Sequence, residues 1–309
     1  MITDKDIITL LLTKGLGPKS LNSIIDKFET NDSLDLVSIV SACITRQEID
    51  IAREIQDNGI KAESLLSELK QQDIKIIVRG RWEYPKMLEL TLRQNAPPVL
   101  FAKGNIKLLN QKAIGFCGSR KASEKGINVA AECATELSRH GINVVSGYAQ
   151  GVDLAAHKAA LESGGTTTFV LAEGILKFKL KQEIKDLITD ENYVVISQFL
   201  PKLTWLAQNA MQRNKTICGL SNAVVIIESG LAGGTFEAGK AALELKRPLF
   251  VLEYAHPPVS AEGNIYFIRR GAKTLRKKNG HPYLEQLFHV VENDVNLTPH
   301  EDQIVLKGF

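Results

Sequence analysis

After Asn110 the sequence settles into an alternation that few folds can satisfy. Near-continuous apolar runs occupy residues 113–117, 142–146, 166–171, 193–197, 223–228 and 248–252, and stretches with helical periodicity separate most of them. A strand that is apolar on both sides has to be covered on both sides, and strand–helix–strand units set neighbouring strands parallel. The pattern predicts an α/β fold: an extended Rossmann-like, mostly parallel sheet wound with helices on both faces. Ligands of such sheets lie beyond the carboxyl ends of the strands, so the residues found there carry the functional argument.

Those strand ends are rich in glycine and in cations. The first run is followed by Gly118-Ser119-Arg120-Lys-Ala-Ser123, in which Gly118 permits close backbone approach and Ser123 has the chemistry of a helix N-cap. Arg120 brings a planar, permanently charged fork suited to phosphate. Only Gly115 and Gly118 are present there, so the GxGxxG signature of a dinucleotide cofactor is missing. The second run leads into Ser146-Gly147-Tyr-Ala-Gln-Gly151-Val-Asp153-Leu-Ala-Ala-His157. Asp153 and His157 fall one turn apart on one helix face, a spacing open to acid–base or metal chemistry and equally to a structural bond fixing loop to helix, the role assigned here. The fifth run leads into Ser229-Gly-Leu-Ala-Gly233-Gly234-Thr235-Phe-Glu237, and just before it lies Arg213-Asn214-Lys215. Three glycine-rich turns with Arg120, Arg213 and Lys215 at one edge of one sheet describe a face for phosphate, that of a nucleotide or of a nucleic-acid backbone.

The rest of the chain frames this centre. Of 309 residues, 44% are hydrophobic and 24% charged, which excludes a disordered chain. Neither a membrane-spanning run nor a signal-peptide pattern is evident, and Cys43, Cys117, Cys133 and Cys218 are too scattered for a zinc site or a disulfide framework. The expectation is a cytoplasmic protein without metal or cofactor. Residues 1–70 read as a helical domain of helix-hairpin-helix (SAM-like) type, 71–110 as a linking extension, 111–275 as the Rossmann-like domain and 276–309 as a short tail. In the first of these, Lys14-Gly-Leu-Gly-Pro18 interrupts two amphipathic helices; the turn is either a phosphate site or simply tight. The overall charge of +3 conceals a net −4 over 1–70, +6 over 71–260, +5 over 261–280 and −4 over 281–309. Acidic ends around a basic centre fit a middle that meets an anion, and the cationic run 269–278 either extends that track or is a solvated helix end. Trp82 and Trp205 are expected in the core, Cys117 and Cys218 as small apolar residues beside the sheet, and His281, His289 and His300 show no ligand spacing.

In order and spacing these motifs resemble the DNA-processing protein A family (DprA, also called Smf). The matching pieces are Gly118-Ser-Arg-x-x-Ser, Ser146-Gly-x-Ala-x-Gly-Val-Asp-x-x-Ala-His, Arg213-Asn-Lys-x-Ile-x-Gly-Leu-Ser, the Gly-Gly-Thr turn and Glu262-Gly-Asn-x-x-x-Ile-Arg-x-Gly-Ala272. The lead-in Tyr84-Pro…Pro97-Pro-Val-Leu-Phe-Ala-Lys-Gly-Asn105 is also similar. The resemblance implies a non-enzymatic protein of DNA uptake (natural transformation) and recombination, commonly dimeric, that protects single-stranded DNA and passes it to RecA. It implies that Arg120, Arg213 and Lys215 lie along the DNA groove, with Gly118, Ser119, Ser123, Ser146, Gly147, Gly151, Asn214, Gly233, Gly234 and Thr235 around them.

The residues after Ala272 are too few for the C-terminal winged-helix domain that many relatives carry, and 173–202 lacks a Tyr-Pro pattern expected there. The turn Gly233-Gly-Thr-Phe-Glu237 leans toward that of LOG-type phosphoribohydrolases. Two alternatives follow: a hydrolase cleaving the N-glycosidic bond of a nucleoside monophosphate, with Glu237 as acid/base and Arg120 as phosphate clamp, or a nucleotide-sensing regulatory module.

Overall fold

A computed structural model of the chain describes residues 2–30 and 35–293; His300 and the end of the tail, 294–309, lie outside the described residues. Four helices come first: α1 (Asp4–Leu12), α2 (Pro18–Thr30), α3 (Leu36–Ser41) and α4 (Glu48–Gln71). Thr3 and Asp6 close a capping box on α1, which settles two of its orphan N–H groups. Then follow β1 (Lys75–Val78), α5 (Lys86–Leu92), β2 (Val99–Gly104), β3 (Ala113–Cys117), α6 (Glu124–Arg139), β4 (Asn143–Ser146), α7 (Val152–Glu162), β5 (Thr167–Val170), α8 (Gln182–Lys185) and β6 (Tyr193–Ser197). The second half adds α9 (Ala207–Leu220), β7 (Ala223–Ile226), α10 (Gly234–Glu244), β8 (Leu249–Leu252), α11 (Glu262–Ile268), β9 (Lys273–Leu275), a hairpin β10 (Lys277–Lys278) with β11 (His281–Pro282), and α12 (Glu285–Glu292).

Nine strands form one sheet in the order β1-β2-β6-β5-β4-β3-β7-β8-β9. From β6 to β9 every pairing is parallel, while β1 and β2 run antiparallel at one edge. Residues 71–110, read as a linking extension, thus supply two strands to the sheet. The six apolar runs coincide with β3 to β8, because a parallel strand buried on both faces is mostly apolar; the polar exceptions Asn143, Ser146, Thr167, Thr168 and Ser197 are buried too, and Ser146, Thr167 and Asn143 find hydrogen-bond partners. Alternation within each strand divides the core. Ile114 and Phe116 face α6 and α7, while Ala113 and Cys117 face α9 and α10. The result is a three-layer α/β/α body, the Rossmann-like architecture expected from the sequence.

The N-terminal helices cover part of one sheet face. Ile7, Ile24, Val40, Ile51 and Leu69 share a core with Val78, Phe101, Phe169 and Val195. Polar ties reinforce the contact: Asn22 Nδ2 donates to the carbonyls of Gln94 (3.2 Å) and Ala96 (2.9 Å), and Arg81 pairs with Asp4 at 3.2 Å. In the turn between α1 and α2 the Lys14 N–H donates to Glu54 Oε1 at 2.9 Å. That bond, outweighing the cost of burial and joined by Arg46, holds the Glu54 carboxyl below its ordinary value. An acid therefore stands where a phosphate would have to sit, and the turn is tight rather than anion-binding.

The chain goes from β3 to β4 on one side and returns to place β7 on the other side of β3. The turns after β3 and β7 therefore diverge and leave a crevice beyond the carboxyl ends of the two strands. Asn264, buried in α11, fixes one wall. Its Nδ2 donates to the carbonyls of Ile227 and Leu252, each at 2.8 Å, and its Oδ1 accepts from Ser229 N–H at 2.9 Å. This explains the Glu262-Gly-Asn motif as a clamp between the ends of β7 and β8. Asn264→Ala leaves three buried backbone groups unpaired and should lower stability by about 3 kcal/mol, measurable by equilibrium unfolding in urea.

Candidate nucleic-acid interface

The first strand-end turn is held from below. Ser119 N–H donates to the carbonyl of Glu228 at 2.9 Å, and the Glu228 carboxylate accepts from Ser123 N–H (2.9 Å), the Ser123 hydroxyl, Tyr254 Oη (2.6 Å) and Ser260 Oγ (2.5 Å). Burial pushes this carboxyl up, but the donors from Ser123, Ser260 and Tyr254 outweigh it and hold the group below its ordinary value. Ser123 also caps α6, its Oγ accepting from Gly126 N–H at 3.1 Å. Its hydroxyl is thus committed to the scaffold. The second turn packs directly on the first: a side chain at Gly151, whose φ is +82°, would meet the carbonyls of Ser119 (2.5 Å) and Arg120 (2.8 Å). Gly151 is therefore a spacer that lets two loops touch, and Arg120 is carried outward above it.

Ser146, Gly147 and His157 lie beneath the surface. Ser146 Oγ donates to the Phe116 carbonyl at 2.7 Å. The His157 ring is buried with Nε2 2.6 Å from the Gly147 carbonyl and Nδ1 2.6 Å from Thr167 Oγ1. A carbonyl only accepts, so Nε2 carries the proton and Nδ1 accepts from the hydroxyl. His157 binds loop to strand and makes no hydrogen bond to Asp153. Asp153 instead accepts from Ala149 N–H at 3.4 Å, and it flanks Gly147 together with the Arg213 guanidinium. Burial raises the Asp153 carboxyl against the opposing pull of Arg213.

Above these supports opens a cleft of about 630 Å³ at the crevice between β3 and β7. Gly118, Ser119 and Arg120 line it from one turn, Gly233, Gly234 and Thr235 from another, and Arg213 and Asn214 from α9. Arg120 is exposed, whereas Arg213 is only 8% exposed and its Nε finds no hydrogen-bond partner among the described residues. Gly233, with φ of +94°, begins α10 without a side-chain cap, and Asn214 Nδ2 donates to the Gly234 carbonyl at 2.9 Å. The first N–H groups of a helix lack intrahelical partners and carry its positive dipole end. Two guanidiniums and one uncapped helix N-terminus thus converge on a single space.

Not every predicted position joins them. Lys215 is exposed but does not line the cleft, because residues two apart on a helix point away from each other. Ser123, Ser146, Gly147 and Gly151 lie behind the lining residues. Trp82 and Trp205 were both expected in the core, yet they are 82% and 46% exposed, and Trp205 lines the cleft with the Arg120 guanidinium 5.6 Å from its ring centre. Lys181, unremarked in the sequence, is anchored beside the second turn by donating to the Tyr148 carbonyl at 2.8 Å. The run 269–278 is largely committed: Arg276 pairs with Glu253, Lys277 pairs with Glu132 at 2.6 Å, and Arg270 stacks on Tyr266 at 3.6 Å. Glu237 lines the cleft with its carboxylate 2.9 Å from Lys240 Nζ. Cys117 and Cys218 are buried, and burial raises both thiols, Cys218 to about 12. Among the described residues no three His, Cys, Asp or Glu side chains stand close enough to hold a metal, and no helix is long and apolar enough to cross a membrane.

Comparison with known proteins follows the same residues. The family model for DNA recombination-mediator protein A matches residues 75–286. The DNA processing protein DprA of Bacillus subtilis (strain 168) is 28% identical over 255 residues, 80% of this chain and 84% of that protein. Protein Smf of Escherichia coli (strain K12) is 30% identical over 212 residues, 68% of this chain but only 56% of that protein. The crystal structure of DprA from Streptococcus pneumoniae superposes with a TM-score of 0.75 at 26% identity, covering 88% of this chain and 94% of that one. DprA from Helicobacter pylori, described for its mode of binding single-stranded DNA, shares the fold with a TM-score of 0.57 at 21% identity, covering 71% of this chain and 94% of that one.

The buried histidine gives this scaffold a pH signature. Burial holds native His157 neutral with a pKa of about 3, whereas in the unfolded chain it titrates near 6.5. Between those values the unfolded state binds the extra proton, so stability is complete above pH ~6.5 and falls as the pH drops toward 3. Between pH 7 and 5 the histidine should cost about 2 kcal/mol, and His157→Gln should lack that share of the slope. Comparing unfolding free energies of the two proteins at both pH values isolates it from Asp153, whose raised carboxyl acts in the opposite sense.

Proposed function

The chain belongs to the DNA recombination-mediator protein A family, and from that membership we propose that it binds single-stranded DNA in the cleft between β3 and β7. Arg120 and Arg213 take backbone phosphates, and the N–H groups at the start of α10 supply further donors to the same oxygens. The observation that carries the reading is the commitment of the cations. Arg79, Arg81, Lys202, Lys277 and Arg276 are each paired with a carboxylate. Among the described residues neither Arg120 nor Arg213 is in such a pair, and both face one cleft. Arg213 is nine-tenths buried with only the buried Asp153 carboxyl beside it, and an incoming phosphate supplies the charge-assisted partner that its Nε lacks. The cations and helix N–H groups of the cleft suit phosphate oxygens, which fits backbone binding without sequence preference.

Hand-over of the bound strand to a RecA-type recombinase, action in DNA uptake, assembly as a homodimer and a cytoplasmic site of action belong to the same proposal, supported by the family resemblance. So does a purely binding role. Glu237 accepts a hydrogen bond from Lys240 one turn along α10. Glu237→Gln should leave affinity for DNA within about twofold, and neither protein should release free base from AMP; release that the substitution abolishes would establish the phosphoribohydrolase instead.

Fluorescence anisotropy with oligo-dT across 50–300 mM salt tests the binding itself. Affinity should fall with salt as counterions are released, each phosphate contact contributing a logarithmic slope of about −0.7. Arg120→Ala should weaken binding on every base sequence and make the slope shallower by about that amount. No binding at 50 mM salt, or an unchanged slope in Arg120→Ala, would refute the assignment.

A further inference from the structure

We propose that Trp205 is a stacking platform for one unpaired base, and that this ring gives the cleft its preference for single-stranded over duplex nucleic acid. The inference rests on the assignment of the cleft to nucleic acid and adds the element that distinguishes the kind of strand. Two chemically different surfaces meet there. One is the phosphate side already described, Arg120, Arg213 and the start of α10. The other is apolar and comes from the entry to α9, where Trp205, Ala207, Ala210 and Met211 all line the cleft. Trp205 is 46% exposed and Met211 50% exposed, and a large apolar surface kept in contact with water at the rim of a cationic cleft is the signature of a ligand face. The ring stands two residues ahead of α9, next to its N-cap residue Leu206.

Arg120 links the two surfaces. Its guanidinium carbon lies 5.6 Å from the Trp205 ring centre, so the cation that takes a phosphate and the ring that takes a base are neighbours. A nucleotide held by its phosphate at Arg120 brings its base to the tryptophan. In a duplex both faces of each base are already stacked and the base is paired, so only an unpaired base can use the ring. Every base has a π-face, so the platform discriminates strand type without reading sequence. The interaction needs no new charge and leaves no polar group unpaired.

The test compares wild type, Trp205→Ala, Trp205→Phe and Arg120→Ala on oligo-dT, on an oligonucleotide of the same length with an abasic tract, and on duplex DNA. Trp205→Ala should lose roughly five- to hundred-fold in affinity for oligo-dT, while its affinity for the abasic strand and for the duplex stays within about twofold of wild type. Trp205→Phe should recover most of the loss. In a Trp82→Phe background, where Trp205 is the sole tryptophan, oligo-dT should quench its fluorescence and the abasic strand should not. Wild-type affinity of Trp205→Ala for oligo-dT, or an equal loss on oligo-dT and the abasic strand, overturns the platform while the phosphate site stands. If wild-type protein binds no oligo-dT at all, the nucleic-acid reading falls and the platform falls with it.

Discussion

The cleft depends on one carboxylate. Glu228 lies beneath it just past the end of strand β7, and four hydrogen-bond donors from three separate segments converge on its two oxygens. A buried charge is tolerable only when its lone pairs are satisfied, so the loop at Ser123, the segment at Tyr254 and the turn at Ser260 are held wherever Glu228 requires them. Its own carbonyl adds the Ser119 N–H to the set. From there the constraint passes upward through backbone contact: the second turn rests on the first where Gly151 meets Ser119 and Arg120. Arg120 stands on a foundation assembled almost entirely from hydrogen bonds to an acid, which is why a cationic site can be rigid without cations in its support.

The distribution of charge follows the same logic. Elsewhere on the surface the arginines and lysines that secure the fold are matched to carboxylates; such exposed pairs add little stability, but they leave little net field. At the cleft Glu237 pairs with Lys240, whereas Arg120 and Arg213 are in no such pair among the described residues. Asp153 comes close to Arg213, and burial raises its carboxyl against the pull of that guanidinium. An anionic ligand is thereby favoured at one place on a molecule whose overall charge is close to neutral.

Much of this was legible in the chain. The strands β3 to β8 were readable because burial on both faces favours near-continuous apolar runs, and Ser123 was readable as an N-cap because a hydroxyl ahead of a helix can accept from its first N–H groups. Arg120, Arg213 and the Gly233-Gly234-Thr235 turn could be placed at one cleft because strand ends in such a sheet converge. Lys215 was read alongside Arg213 because a one-dimensional motif does not show that the two point apart. The tryptophans misled for a related reason: hydrophobicity predicts burial on average, and only the path of the chain into α9 shows that Trp205 opens onto the cleft. Glu228 was hidden as the polar end of an apolar run, with partners 26 to 105 residues away.

What the amino-acid sequence determined by itself, then, is the class of fold, the edge of the sheet at which the glycine-rich turns gather, and the cationic side chains placed there. Periodicity and local side-chain chemistry are properties of neighbours in the chain, and they suffice for that. The tertiary structure decided which candidates line the cleft and which are scaffold, moving Ser123, Ser146, Gly147 and His157 into support and bringing Trp205 to the rim. Those assignments depend on close approaches between residues far apart in sequence, and packing in three dimensions is the only thing that brings them together.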